Sequence, residues 1–173
     1  MDSFSIILVV VLLILVILSA FFSGSETSIM ALNQIKLDNA EKQGNKSAKI
    51  INSLRKEINR VLGVILIGNN LVNISASALL TFFVIKKFGD EYVWIGTLLL
   101  TIFIIIFAEI APKSFAAKRP ESIAYPASRI LKVLTKYLGS FSEMLTNISN
   151  SLTGIKNNEN YFSENLNRDE LKS

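Results

Sequence analysis

Three long apolar blocks dominate the chain, and each is interrupted by a few polar residues. The first, residues 6–22, carries no charge and has Ser19 as its one clearly polar side chain. It continues as FFSGSETSIMALN, small and polar but compatible with a helix. Residues 33–60 are polar and read as helical. The second block, 61–85, is apolar except for GNNLVNISAS at its centre, and a turn over 86–91 follows. The third, 92–111, holds a single charge, Glu109, then meets Pro112 and Lys113. That proline cannot donate to a helix ladder, so a kink or break is expected there. After Pro120, apolar residues recur at Ile123, Ile130, Leu134, Tyr137, Phe141, Met144, Ile148 and Leu152. Steps of three, four or seven predict an amphipathic helix, with Arg129, Lys132 and Lys136 on or beside its polar face. Three placements suit it: on the membrane surface, beneath the domain, or against a second subunit.

A membrane span needs about 20 mostly apolar residues to cross a hydrocarbon core about 30 Å thick. All three blocks meet that length. The first reads as a retained span rather than a cleaved leader, because Asp2 and no basic residue precede it and it outruns an ordinary leader core. The loop between spans one and two carries seven Lys/Arg, the 86–91 turn two, and the segment from Lys113 onward nine. By the positive-inside rule the first loop and the C-terminal segment are cytoplasmic and the N-terminus lies outside. The expected fold is an all-α membrane protein with three transmembrane helices, partly broken by polar stretches, plus a cytoplasmic juxtamembrane amphipathic helix. Residues 1–152 form this domain, and 153–173, rich in Asn and charge, read as a linker.

Composition narrows the chemistry. Half the residues are hydrophobic and the formal charge is +4, which topology explains without nucleic acid. There is no cysteine and no histidine. Disulfides, thiolate metal sites, the usual zinc ligand and Ser-His or Cys-His catalytic pairs are therefore excluded. An enzyme is not expected.

Polar groups inside a span usually face a bundle interior or a cavity. Three clusters qualify. Ser23, Gly24, Ser25, Glu26, Thr27 and Ser28 lie near one end of the first span. Asn69, Asn73 and Ser77 fall at i, i+4 and i+8 and share a helix face, with Asn70 beside them. Glu109 stands three residues before Pro112, where a broken helix would free carbonyls beside a carboxylate. Hydroxyl, amide and carboxylate oxygens suit hard cations: magnesium, calcium, manganese or sodium. Plainer roles exist for each. Small residues let membrane helices approach, asparagines glue helices together, and Glu109 could pair with Lys113 four residues on.

FFSGSET, GNNLVNI and AEIAPK, in that order and spacing, resemble the transmembrane domain of the CNNM/CorC family across residues 6–152. The resemblance implies a homodimer in the cell membrane that exports magnesium, coupled to sodium entering the cell. It implies that Ser23, Asn69, Asn73 and Glu109 coordinate a dehydrated Mg2+, with backbone oxygens from Gly24 and around Gly68. It also implies cytosolic CBS domains that bind adenine nucleotide. The tail NRDELKS looks like the lead-in to such domains, which these 173 residues do not include. Glu26 receives no role. The alternative of a different class is a non-transporting magnesium sensor, or a membrane anchor for a regulatory module.

Overall fold

A computed structural model describes residues 3–153 and contains helices joined by short connections, with no strand among the described residues. The first span is α1 (Ser3–Ala31). A polar hairpin follows, α2 (Gln34–Lys42) and α3 (Lys46–Lys56), and leads into the second span, α4 (Ile58–Phe88). The third span runs from Asp90 to Lys118. It opens on a 3-10 turn (Asp90–Tyr92), continues as α5 (Val93–Phe103), passes through a π-helical stretch (Ile104–Ile110) and ends as α6 (Ala111–Lys118). The last helix is α7 (Pro120–Thr153). Residues 154–173, where nearly all of the expected linker falls, lie outside the described residues.

Why these residues are helical follows from the solvent they face. In hydrocarbon every backbone polar group must be satisfied within its own segment, and a helix does that. Spans of 29, 31 and 29 residues are about 45 Å long at 1.5 Å per residue, so each overshoots the hydrocarbon core. The breaks fall where the chain signals them. Gly44 and Gly89 adopt positive φ, +88° and +105°, at the turns after α2 and after α4. Asn33 and Asn45 cap the helices that follow them, each side-chain oxygen accepting from backbone N–H groups. The polar segment 33–60, expected to be helical, is two helices plus the first turn of α4.

The larger correction concerns Pro112. No break occurs there; the helix continues through it. The disturbance lies upstream, where residues 104–110 widen to a five-residue hydrogen-bond step, as in Ala111 N–H to the Ile106 carbonyl. The next carbonyl in that register, that of Phe107, would be claimed by residue 112. Proline has no N–H to offer it. The π stretch relocates the defect and so keeps the span continuous.

α1 is the common element, packed against α4, α6, the π stretch and α7. α7 crosses beneath α1, α3 and α4 at the end that carries the hairpin. It turns Ala124, Ala127, Ser128, Leu131, Thr135 and Ser142 inward. Most of the apolar stripe read from its sequence faces out, with Ile130, Tyr137, Phe141, Met144, Ile148 and Leu152 exposed. The helix therefore lies beneath the domain through a face of small residues. Its large apolar residues remain on the outside, where they suit a membrane surface.

Two apolar clusters organise the packing. One joins Phe22, Ile29, Val61, Ile65 and Leu131. The other joins Leu32, Leu37, Ala48, Ile51 and Ala124, within a basic collar formed by the hairpin and the start of α7. Arg55 ties the collar to the first span. Its guanidinium donates to the Ile29 carbonyl at 3.2 and 2.6 Å, to the Leu32 carbonyl at 2.7 Å and to Gln34 Oε1 at 2.6 Å. Burial holds this guanidinium below its usual pKa, partly offset by Asp38, yet the group keeps its proton. The carbonyls it covers belong to the frayed end of α1 and have no helical partner of their own. Arg55→Ala is expected to lower stability by about 1.5–3 kcal/mol, the range for a hydrogen bond to a charged group. Thermal unfolding of the purified domain measures this. An unchanged midpoint would mean that water caps α1 equally well.

Candidate cation site

The polar residues of the spans meet along α1. Ser19 and Ser23 lie one turn apart on its inner face and are buried, at 0% and 1% exposure. Ser19 Oγ donates to Asn69 Oδ1 at 2.8 Å, which fastens α1 to α4. Ser23 Oγ donates to the Glu109 backbone carbonyl at 3.5 Å, a long contact that touches the third span inside its π stretch. Such stretches recur at functional sites because they turn side chains away from ordinary helical register. Here the turned residue is the single acidic side chain of the third apolar block.

Of the four residues predicted as ligands, the structure links Ser23 to Glu109 through the latter's carbonyl and sets Asn69 against Ser19. Asn73 lies one turn further along α4, about 6 Å away. Because α1 and α4 run antiparallel, that step leads away from Ser23. With Ser19 added, the predicted four form two tiers along α1: Ser19 and Asn69, with Asn73 a turn beyond, in one, and Ser23 and Glu109 in the other. Asn73 Oδ1 is buried and has no hydrogen-bond partner. A buried amide oxygen without a donor is unfavourable by about 1–3 kcal/mol. Among the described residues no cation pairs with Glu109, because Lys113 reaches Glu26 instead, at 3.5 Å. No group of three or more acidic side chains exists among the described residues. Any ion held here would meet one carboxylate and several neutral oxygens.

Three neighbouring residues have plainer surroundings. Gly68 lies against the Phe22 ring, and α4 is continuous through it, so its neighbouring carbonyls belong to the helix ladder. Ser77, although in line with Asn69 and Asn73, borders an open groove with Ile74, Thr81 and Phe82. Asn70 is exposed on the outside of α4. Sequence reasoning passed over Ser19 as a site residue. The signal was present: serines four apart on one span match asparagines four apart on the next.

Gly24 explains how the tiers come together. A Cβ added there would meet Ile123 Cδ1 at 3.4 Å and Pro112 Cβ at 3.6 Å, so α1, α6 and α7 converge on a residue without a side chain. The arrangement is a seam lined with hydroxyl and amide oxygens and the Glu109 backbone carbonyl, between helices that cross the membrane. It has no thiolate or imidazole, and its donors match hard cations.

Comparison with known proteins agrees with this architecture. Residues 10–173 match the cyclin M transmembrane N-terminal domain family. The UPF0053 inner membrane protein YfjD of Escherichia coli is 42% identical over 159 residues, 90% of this chain and 37% of that protein. A UPF0053 protein of Haemophilus influenzae is 44% identical over 129 residues, 75% of this chain and 31% of its own length. A chloroplastic DUF21 domain-containing protein of Arabidopsis thaliana is 34% identical over 156 residues, 90% of this chain and 24% of its own. The chain spans well under half the length of these relatives. With three spans and a match over most of its residues, it is a membrane domain that belongs to the cyclin M (CNNM) transmembrane family.

Proposed function

We propose that this domain carries magnesium across the cell membrane, outward, with sodium as the counter-ion and a second copy of the chain as its partner. The observation that carries the reading is the buried, unpartnered Asn73 Oδ1, one turn from Asn69 in a seam that also holds an unpaired Glu109. Ser23, Asn69, Asn73 and Glu109 would supply the oxygens, with Ser19 beside Asn69. Magnesium surrenders its water shell reluctantly, so two tiers offer successive positions for exchanging water for protein oxygens. The distribution of Lys and Arg supports a cytoplasmic hairpin and α7. A homodimer is supported by Asn70, exposed on α4 beside Leu66, Leu71 and Ile74. A polar amide facing lipid is unfavourable, and a second copy would cover it.

The test is thermal unfolding of the purified domain in detergent across a magnesium series, with Asn73→Leu alongside. A ligand that binds only the folded state adds about 2.7 kcal/mol at a hundred times its Kd. The native domain is expected to stabilise progressively. Asn73→Leu is expected to be as stable as native or more so without magnesium, since an orphaned oxygen is removed, and to respond weakly when magnesium is added. A leucine variant that is less stable in magnesium-free buffer would identify Asn73 as helix glue and remove the main support for the proposal.

A further inference from the structure

The pair between Glu26 and Lys113 has no place in the ligand set, and its location is informative. Glu26 stands three residues below Ser23 on α1, and Lys113 four residues below Glu109 on the third span. Each partner is therefore one turn from a group of the Ser23–Glu109 contact, on the same face of the same helix. The pair lies at the foot of the seam, toward the end that carries the basic collar. Gly24 and Pro112 bring the two helices close just above it. Both side chains are half exposed, at 48%, and their separation is 3.5 Å. An exposed pair of this kind is worth at most about 1 kcal/mol. Holding the fold together does not account for it.

Its chemistry suggests another role. A lysine ammonium is a tethered monovalent cation, and here it occupies the carboxylate nearest the foot of the seam. A divalent cation arriving from that side meets Glu26 first and carries twice the charge.

We propose that Glu26 is the capture residue for the divalent cation at the foot of the seam, with Lys113 as a built-in competitor that sets the concentration at which the ion is admitted. This inference rests on the transport reading above. Removing the competitor lowers the magnesium concentration needed; removing the carboxylate raises it and makes the lysine irrelevant.

Magnesium flux into proteoliposomes, followed with an enclosed fluorescent indicator, tests this in the native chain, Lys113→Gln, Lys113→Met, Glu26→Gln and the double variant Glu26→Gln/Lys113→Gln. Elution from a sizing column and thermal unfolding in magnesium-free buffer establish that each variant is folded. Both lysine variants are expected to lower the half-saturating magnesium concentration by about fivefold, the equivalent of about 1 kcal/mol. Glu26→Gln is expected to raise it by a similar factor, and the lysine substitution to add nothing on that background. The proposal is overturned if the lysine variants leave the half-saturating concentration unchanged or raise it. It is equally overturned if the lysine effect persists undiminished without Glu26. Both outcomes leave magnesium transport standing. A native chain that passes no magnesium sinks the transport reading and this inference together.

Discussion

Proteoliposomes bearing the Glu109→Gln chain are expected to pass magnesium at least about 100-fold more slowly than the native domain at limiting concentration. The argument is electrostatic. Glutamine keeps the size and one carbonyl oxygen but removes the sole charge of the upper seam. Unit charges about 4 Å apart at an effective dielectric of about 20 attract by about 4 kcal/mol, and each 1.4 kcal/mol is a factor of ten in affinity. Desolvation of the ion absorbs part of that gain, hence the lower figure. The neutral oxygens of Ser23, Asn69 and Asn73 cannot replace it, since each offers only a dipole. A Glu109→Gln chain that transports like the native one would exclude the carboxylate as a ligand. A native chain that binds magnesium and passes none would favour the sensor reading.

The second large effect concerns packing, and two general rules predict opposite signs. Gly68 lies inside α4, where helix propensity alone would make alanine stabilising by about 0.8–1 kcal/mol. A Cβ at that position would, however, lie 2.5, 2.6 and 2.9 Å from three carbons of the Phe22 ring. Phe22 is buried at 8% exposure and packs in the cluster with Ile29, Ile65 and Leu131, so the ring has little room to retreat. Overpacking of this kind costs about 1–3 kcal/mol. The clash wins: Gly68→Ala is expected to be neutral to destabilising, and Gly68→Val to be destabilised by about 3 kcal/mol. Phe22→Leu in the Gly68→Val background should recover part of the loss. Thermal unfolding of the native chain, Gly68→Val, Phe22→Leu and the double variant gives the coupling directly. Simple addition of the two effects would show that ring and glycine do not interact.

Much of the fold was legible because the bilayer sets the length of its spans and leaves long apolar blocks as a record. The turn at Gly89 was legible for equally local reasons, whereas the one at Gly44, inside a polar helical stretch, was not. Pro112 misled because a missing donor states that one hydrogen bond is absent, not where the helix will absorb the defect. The chain absorbs it over residues 104–110, and only packing against α1 could reveal that. The polar residues of the seam were legible one at a time, since polarity within an apolar run stands out. Their division into two tiers was not, because the register between α1 and α4 depends on Ser19 meeting Asn69 and Phe22 meeting Gly68. The stripe of α7 shows the same limit. Periodicity identified an apolar face, but its small residues, Ala124, Ala127 and Ser128, made the closer contact.

That placement of α7 also orders events during synthesis. Ala127 and Leu131 complete the cluster around Ile29 and Val61, and Ala124 completes the one around Leu37 and Ile51. All three residues emerge from the ribosome after the third span. Neither cluster can close while the chain is still being threaded into the bilayer, so α1, α4 and the hairpin wait with apolar surface uncovered. The last helix made is the one that ends that interval.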